Sequence, residues 1–433
     1  MDSTMDKIVI NGGTPLVGSI EVSGMKNAAL AVIMGCLLVE DKCIIENLPD
    51  INDVRLSLDI LAHMGAKIRL IANDTYEIDT TNAIGGTSPL ELVRRMRGSS
   101  YLIGAELGRF NRSHVGYPGG CDFGVRPIDQ HIKGFEALGA SVNVESGYID
   151  ATAENGLTAA NIYFDLVTVG ATINVILAAV KAKGTTVIEN AAREPHVVDL
   201  ANFLNSCGAK ITGAGTDVIK IKGVEQLHGC TYAIIPDMIE AGTYMIAAAA
   251  TGGKLKINNI IPKHLESISA KLEEMGVTVE EDDEYVIVSR QNKLNRANVK
   301  TLPYPGFPTD LQPQIAVLLC LADGVSILSE SVWDNRFRYT EELRRMGAEI
   351  KVDGKTAIIE GGAPLSAAAV KATDLRAGAA MVIAGLAIEG RTEIEEIQLI
   401  ERGYVDIVGK LRAVGADIKK ISYPDPVSYG KAN

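Results

Sequence analysis

The sequence lacks three features: an apolar run long enough to cross a membrane, an excess of positive charge and any paired cysteine spacing. Its longest apolar runs, such as residues 377–388, are shorter than the roughly 20 residues that a transmembrane helix needs. The net charge is −12, which argues against a chain that coats nucleic acid or an anionic membrane. We therefore expect no nucleic-acid partner and no membrane partner, but a few local cations can still hold a small anionic substrate.

The six cysteines and six histidines are scattered through the 433 residues without metal-ligand or CxxC spacing, so we expect no metal site. Cys36, Cys43, Cys207 and Cys320 have apolar neighbours and are interpreted as reduced core thiols. The first residues also lack the apolar core of a signal peptide. Together these features predict a cytoplasmic location.

What the sequence does contain is a sixfold internal repeat. The phrase LAHMGAKI, or a close variant of it, recurs with its glycine at positions 65, 139, 208, 276, 347 and 415. The phrase is typical of a two-faced helix that ends at a C-cap glycine and is followed at once by a strand. A second recurring strand, such as KCIIENL or TTVIENA, precedes most of these glycines, but the second repeat has no clear copy of it.

Each repeat also contains a helix-length run of small and apolar residues, and these runs cover residues 27–38, 99–108, 169–180, 240–250, 310–322 and 376–387. A helix that is apolar around most of its circumference must be buried on all sides. We therefore predict an α/β fold (α+β in some schemes) with two domains, each built from three repeats around buried central helices. A solenoid or a six-bladed propeller fits repeats of about 70 residues with a buried helix less well.

The sixth repeat lacks the returning strand that follows the first five, and the N-terminal segment KIVINGG (7–13) can supply it. We therefore predict that the N-terminal strand completes the C-terminal half. The expected domains are residues 24–235, and residues 1–23 together with 236–433.

Polar residues collect where the apolar helices begin. They are Lys26, Asn27, Arg97, Thr168, Asp237, Thr309, Asp310, Thr373, Asp374 and Arg376. Helix N-termini attract anions because their N–H groups are unpaired, so convergence of these ends would create an anion site. The alternative for each Thr or Asp taken singly is a plain N-cap.

The loop at residues 117–129 is the most informative segment. Its glycines make it pliable, as a closing lid requires, and Arg126 near Cys121 would favour the reactive thiolate. An incidental surface cysteine is the alternative interpretation. Asp310 follows a proline-stiffened segment, so a rigidly placed general base and a simple cap are both open interpretations.

These segments together resemble the enolpyruvyl transferases over essentially the whole chain, and most closely the members whose acceptor is UDP-N-acetylglucosamine. The resemblance depends on SGMKNAAL (23–30), MRGSSYLIG (96–104), PGGCDFGVRPIDQH (118–131), FPTDLQPQ (307–314), ATDLRAGAA (372–380) and ERGY (401–404). It implies a fold of two inside-out α/β prisms, each with three repeats. It also implies transfer of enolpyruvate from phosphoenolpyruvate to the sugar 3-hydroxyl with release of phosphate, and no cofactor.

The resemblance also implies roles for individual residues. Lys26, Asn27, Arg126 and Arg402 would bind phosphoenolpyruvate, and Cys121 would be the general acid. Asp310 would be the candidate base for the sugar hydroxyl, and Asp374 would be a further carboxylate at the site. The implied UDP-sugar contacts are Arg97, Arg126, Pro127, Ile128, Asp129, Gln130, Thr168, Val169, Asp310 and Val332. Leu166 departs from the family pattern, since many members have a lysine there, and this should weaken or redistribute nucleotide binding.

Three other functions compete with this interpretation. Family members that use shikimate 3-phosphate as acceptor lack the PGGC loop and need further cations for the shikimate phosphate. The RNA 3′-phosphate cyclases share the architecture but would need a nucleotidylated histidine and a basic surface. A ring-like scaffold without enzymatic activity would not require Lys26, Cys121, Asp310 and Arg402 to converge.

Overall fold

The computed structural model describes residues 4–119 and 128–424. The described α-helices are α1 (Lys26–Cys36), α2 (Asn52–His63), α3 (Leu90–Val93), α4 (Tyr101–Phe110), α5 (Asp129–Ala137), α6 (Val169–Ala179), α7 (Pro195–Ser206), α8 (Met238–Thr251), α9 (Glu266–Glu274), α10 (Gln312–Leu321), α11 (Thr340–Arg345), α12 (Leu375–Ala387) and α13 (Ile407–Ala413). Short 3-10 helices are found at Arg97–Ser100, Pro262–Leu265, Thr309–Leu311 and Ile397–Arg402.

The described strands are short and alternate with the helices throughout the chain. They are β1 (Thr4–Gly12), β2 (Val17–Glu21), β3 (Lys42–Glu46), β4 (Lys67–Ala72), β5 (Thr75–Asp79), β6 (Arg112–Gly116), β7 (Ser141–Glu145), β8 (Tyr148–Thr152), β9 (Asn161–Tyr163), β10 (Thr185–Glu189), β11 (Lys210–Thr212), β12 (Val218–Lys222), β13 (Thr231–Ala233), β14 (Lys254–Asn258), β15 (Thr278–Glu281), β16 (Tyr285–Ser289), β17 (Val299–Lys300), β18 (Gly324–Ser329), β19 (Glu349–Asp353), β20 (Thr356–Gly361), β21 (Ala369–Lys371), β22 (Gly390–Glu395) and β23 (Asp417–Pro424).

The described chain forms two compact units. We name residues 23–119 with 128–235 the N-terminal unit, and residues 4–22 with 236–424 the C-terminal unit. The N-terminal unit has three sheets, of strand order β13-β3-β5-β4, β6-β8-β7 and β11-β12-β10-β9. Its interior helices are α1, α4 and α6, most of whose residues are buried. The sheets therefore lie outside and the apolar helices inside.

The C-terminal unit repeats this plan around α8, α10 and α12, which pack against one another. Its sheets have the strand orders β15-β16-β14-β2, β17-β18-β20-β19 and β21-β22-β1-β23. Strand β1 lies between β22 and β23 and is antiparallel to both, in the place expected for the missing partner strand. Each unit is thus an inside-out α/β prism of three repeats, and the predicted fold class is confirmed.

The six glycines of the repeated phrase all have left-handed backbone conformations, with φ between +86° and +100°. An L side chain is strained at such φ, whereas glycine adopts it freely. Each glycine follows a helix and precedes a strand that begins two residues later, as the sequence predicted. The repeated phrase is therefore a helix-terminating signal.

The second repeat does contain the strand for which the sequence showed no clear copy. This strand is β6, which pairs antiparallel with β8 from Arg112 opposite Thr152 to Gly116 opposite Tyr148. Its sequence RSHVG is polar or small at every position except Val115, so the pattern was not recognisable. Among the described helices, none combines the length and the apolar character needed to cross a bilayer.

Candidate active site

Asp310 in the C-terminal unit is held by two buried arginines. Its Oδ1 lies 3.1 Å from Nη1 of Arg336, and its Oδ2 lies 3.2 Å from Nη2 of Arg376. The two arginine side chains are 1% and 4% exposed, whereas the Asp310 side chain is 29% exposed. One carboxylate is thus fixed in position by two cations and still reaches solvent. Such an arrangement suits a group that must meet a substrate in a defined geometry.

The N-terminal ends of the three interior helices of this unit meet around Tyr404. The Tyr404 hydroxyl lies 2.8 Å from the Thr243 hydroxyl of α8 and accepts a hydrogen bond of 3.2 Å from Gln314 of α10. The guanidinium of Arg376 on α12 lies 5.5 Å from the centre of the Tyr404 ring. Burial disfavours the charged form of Arg376, but Asp310 and Tyr404 raise its pKa. In the C-terminal unit, the N-terminal parts of α8, α10 and α12 therefore meet around Tyr404, beside the Arg376 guanidinium.

Asp374 and Asp237 are N-caps of interior helices. Asp374 Oδ1 accepts hydrogen bonds from the backbone N–H groups of Arg376 and Ala377 at 2.9 and 3.0 Å. Asp237 caps α8 in the same way. Asp374 is 5% exposed. The carboxylate of Asp374 thus fixes the first turn of α12 and, through it, the arginine that holds Asp310.

A second carboxylate, that of Glu330, organises the chain beside Asp310. It accepts hydrogen bonds from the Thr309 hydroxyl at 2.9 Å and from the backbone N–H of Val332 at 2.8 Å. Val332 is 38% exposed, so its side chain remains accessible.

Arg402 ends the 3-10 helix Ile397–Arg402, two residues before Tyr404, and is partly exposed.

In the N-terminal unit, Lys26 begins α1 and forms a buried ion pair with Asp53. Its Nζ lies 2.9 Å from Oδ2 of Asp53, and the two side chains are 11% and 4% exposed. Asp53 belongs to the first turn of α2, so this pair fixes the start of α1 against a neighbouring helix. Asn27, the next residue of α1, is partly exposed.

Hydrogen bonds between Gln130 and Asp165 join the start of α5 to the segment that precedes α6. Gln130 Nε2 donates to Asp165 Oδ2, and the Asp165 backbone N–H donates to Gln130 Oε1, both at 3.0 Å. Lys133 pairs with the other oxygen of Asp165 at 2.9 Å. Thr168 is the N-cap of α6 and accepts from the Ala171 backbone N–H. Leu166, which replaces the lysine of many family members, is 54% exposed.

His131 is a residue of this region that the sequence reasoning missed as a functional candidate. The residue is 5% exposed, and neither ring nitrogen has a hydrogen-bond partner among the described residues. A Cβ placed on Gly170 would lie 2.8 Å from its Nε2, so the ring packs against the first turn of α6. Burial and the charge of Arg97 lower the pKa of His131 to about 4. The imidazole is therefore neutral at physiological pH. The sequence signal that could have identified His131 is its position at the end of the motif PGGCDFGVRPIDQH (118–131).

This lowered pKa predicts an acid-sensitive N-terminal unit. Because the ordinary pKa of histidine is about 6.5, the unfolded chain binds the proton more readily than the folded chain between about pH 6.5 and pH 4. The stability of the unit should therefore fall as pH drops through this window, by up to ~3 kcal/mol from this group. His131→Gln should flatten that part of the profile. Amide hydrogen exchange of α5 and α6 measures it, since the only tryptophan, Trp333, belongs to the C-terminal unit.

The control for this pH profile is His63→Gln, since His63 lies at the exposed end of α2. This variant should keep the acid-dependent loss of protection seen in the parent protein. Parallel exchange profiles for His131→Gln and the parent would show that His131 is not the source of the acid sensitivity.

The predicted site residues divide between the two units. The N-terminal unit carries Lys26, Asn27, Arg97, Ile128, Asp129, Gln130, Thr168 and Val169, and the C-terminal unit carries Asp310, Val332, Asp374 and Arg402. Within the C-terminal unit, Arg376 connects Asp310 to the Asp374 cap. Cys121, Arg126 and Pro127 lie outside the described residues. Convergence of Lys26, Arg126 and Arg402 therefore stays a prediction.

Among residues 4–119 and 128–424, no group of three or more His, Cys, Asp or Glu side chains is arranged to hold a metal ion.

Comparison with known proteins decides the family. The family model described as EPSP synthase (3-phosphoshikimate 1-carboxyvinyltransferase) matches residues 10–411. The chain belongs to this enolpyruvyl transferase family. Among its relatives is UDP-N-acetylglucosamine 1-carboxyvinyltransferase 3 of Caldanaerobacter subterraneus subsp. tengcongensis, 57% identical over 96% of this chain and 100% of the relative. The UDP-N-acetylglucosamine 1-carboxyvinyltransferase of Clostridium botulinum is 56% identical over 96% of this chain and 100% of the relative.

Solved enolpyruvyl transferase structures have the same fold. The enolpyruvyl transferase NikO from Streptomyces tendae matches with a TM-score of 0.86 at 27% identity, over 98% of this chain and 100% of that chain. An EPSP synthase from Acinetobacter baumannii matches with a TM-score of 0.75 at 18% identity, over 96% of this chain and 100% of that chain, and supports the fold alone. The resemblance to enolpyruvyl transferases drawn from the sequence motifs is thus confirmed.

Proposed function

We propose that this enolpyruvyl transferase transfers the enolpyruvyl group of phosphoenolpyruvate to the 3-hydroxyl of UDP-N-acetylglucosamine and releases phosphate. This reaction is the first committed step of peptidoglycan precursor synthesis, and we place it in the cytoplasm. The observation that carries the choice of acceptor is the 57% identity, over the whole relative, to a UDP-N-acetylglucosamine 1-carboxyvinyltransferase. The PGGC loop around Cys121, which the shikimate-using members lack, supports the same choice.

Asp310 is the proposed base for the acceptor hydroxyl. Its carboxylate is partly exposed, and Arg336 and Arg376 hold one oxygen each at 3.1 and 3.2 Å. Fixing both oxygens restricts the carboxylate to one orientation, so a bound hydroxyl would meet the base without further reorganisation. Thr309 and Glu330 hold the preceding turn in place through their 2.9 Å hydrogen bond.

The donor requires cations and an acid. We propose that Lys26, Arg126 and Arg402 bind the phosphate and carboxylate of phosphoenolpyruvate, with Asn27 beside Lys26. In the addition step, the acceptor oxygen bonds to C2 of the donor while Cys121 protonates C3. In the elimination step, C3 loses a proton and phosphate departs from C2, which restores the double bond. The cations stabilise the charge that moves to the phosphate in the second step.

The acceptor nucleotide-sugar is proposed to contact the residues that the family resemblance implies for it. Its proposed contacts are Arg97, Arg126, Pro127, Ile128, Asp129, Gln130, Thr168, Val169, Asp310 and Val332. We further propose that the two units are the functional domains, with boundaries at 24–235 and at 1–23 with 236–433.

A phosphate-release assay with two acceptors tests this function. Phosphoenolpyruvate with UDP-N-acetylglucosamine should release phosphate stoichiometrically with formation of the enolpyruvyl ether. Phosphoenolpyruvate with shikimate 3-phosphate should give no release above background. The reverse preference would assign the chain to the shikimate-using members, and inactivity with both acceptors would contradict the proposed reaction. An epoxide-phosphonate such as fosfomycin serves as a second readout, because it should alkylate Cys121 and stop phosphate release.

A further inference from the structure

Four of the six cysteines meet at one place in the N-terminal unit, although they are far apart in the sequence. Cys36 ends α1, Cys43 lies on β3, Cys207 caps the C-terminus of α7, and Cys230 directly precedes β13. Cys43 lies close enough to Cys36 and Cys207 to contribute to their raised pKa values, and the backbone N–H of the adjacent Ile44 donates to the Cys230 carbonyl at 2.9 Å. We call Cys36, Cys43, Cys207 and Cys230 the thiol cluster. It lies at the opposite end of α1 from Lys26, so it does not belong to the site described above.

Within the thiol cluster, Cys207 and Cys230 are in position to react with each other. Their Sγ atoms are 3.4 Å apart, against about 2.05 Å in a disulfide. The backbones around them are already held together, since His228 N–H donates to the Cys207 carbonyl at 2.9 Å. Two residues beyond Cys230, the Tyr232 hydroxyl donates to Asp199 of α7 at 2.5 Å. Closing the gap therefore requires the two sulfurs to approach by about 1.4 Å, between backbone segments that are already held together.

Access distinguishes the two sulfurs. Cys36, Cys43 and Cys207 are each 0% exposed, whereas Cys230 is partly exposed. A small oxidant can thus reach Cys230 first, and the resulting species has the buried Cys207 thiol as its neighbour. This pairing of one accessible thiol with one protected thiol is typical of sites where sulfenic acid is converted to a disulfide before it oxidises further.

We propose that Cys207 and Cys230 form a reversible disulfide when the protein meets a hydroperoxide. The Cys230 thiolate attacks the peroxide oxygen, which gives Cys230 sulfenic acid and, from an organic hydroperoxide, an alcohol. The Cys207 sulfur then attacks the Cys230 sulfur, and hydroxide leaves as water with the Cys207 proton. In sum, two thiols and one hydroperoxide give one disulfide, one alcohol and one water. A small dithiol reverses the change by exchange.

The test counts thiols in a Cys121→Ser background, which removes the reactive cysteine of the proposed catalytic loop. This variant has five cysteines. After hydrogen peroxide treatment, denaturation and alkylation, three should be labelled, the mass should fall by about 2 Da before labelling, and dithiothreitol should restore all five. Cleavage by trypsin leaves the four cysteines of the thiol cluster in four separate peptides, so the pair of peptides that stay linked identifies which two cysteines form the disulfide. The pair should be residues 194–210 joined to residues 223–254.

Two further variants in the same background sharpen the result. With Cys230→Ser, all four remaining thiols should stay labelled after peroxide. With Cys320→Ser, the matched control from a buried position in the C-terminal unit, two of the four should still be lost. A linked pair other than Cys207–Cys230, a loss of thiols in Cys230→Ser, or no loss of thiols in Cys320→Ser would overturn the proposal. So would one equivalent of zinc that copurifies with the protein and is lost in Cys230→Ser. Melting curves of the reduced variants verify that each one folds.

Discussion

Asp310→Asn is expected to lower kcat by about a thousandfold or more in the phosphate-release assay, because general-base catalysis typically contributes a factor of ~10²–10⁴. The substitution keeps the shape of the side chain but removes the group that accepts the hydroxyl proton. It also leaves the Arg336 and Arg376 guanidiniums, 1% and 4% exposed, without this carboxylate. A loss of stability therefore accompanies the loss of activity, and the two effects must be measured separately.

Asp310→Glu separates these effects. It retains the negative charge for the two arginines but displaces the carboxylate along the side chain, so stability should stay closer to that of the parent while kcat still falls by at least tenfold. The matched control is Asp323→Asn, an exposed carboxylate just beyond the opposite end of α10 from Asp310, which should leave both kcat and the melting temperature unchanged. If Asp310→Asn turned over within tenfold of the parent enzyme, Asp310 would not be the base.

Lys26→Met is expected to damage the fold and the donor site together. The Nζ of Lys26 lies 2.9 Å from Oδ2 of Asp53, and the pair is largely buried because the two side chains are only 11% and 4% exposed. Removing one partner of a buried pair leaves the other charge buried, which typically costs about 3–5 kcal/mol of unfolding free energy. If Lys26 also binds the donor, KM for phosphoenolpyruvate should rise and kcat should fall, each by roughly tenfold or more.

The double variant Lys26→Met with Asp53→Asn distinguishes the two roles of Lys26. Neutralising Asp53 removes the uncompensated charge, so most of the lost stability should return, but activity should not return. Arg55→Met on the same helix α2 is the control, because it breaks an exposed pair with Asp50 whose loss should change stability by less than about 1 kcal/mol. Recovery of phosphate release in the double variant would limit Lys26 to a structural role.

The sequence predicted the fold well because its strongest signals are local. Each of the six apolar runs forms an interior helix, and each glycine of the repeated phrase adopts the left-handed conformation that ends a helix. Burial of the helix circumference and the freedom of glycine at positive φ operate over a few residues, so they can be read from the chain itself. The strand whose copy was not recognised was β6, whose residues RSHVG are polar or small except for Val115.

The candidate site was predictable only in part. Motifs pointed to Asp310 and Lys26, but they gave no sign of the partners that hold them, because Arg376 follows Asp310 by 66 residues. The same limit applies to the thiol cluster, whose cysteines look unrelated along the chain and meet only where α1, β3, α7 and β13 pack together. Neither the neutral state of His131 nor its contact with Gly170 has a local signature.

By itself, the sequence determined the sixfold repeat, the buried helices, the α/β class and the family, since periodicity, caps and motifs are properties of neighbouring residues. Only the tertiary structure decided which charges face each other and which thiols touch. Ion pairs and reactive contacts depend on distances of a few ångströms between side chains on different helices and strands, and these distances arise only when those elements pack.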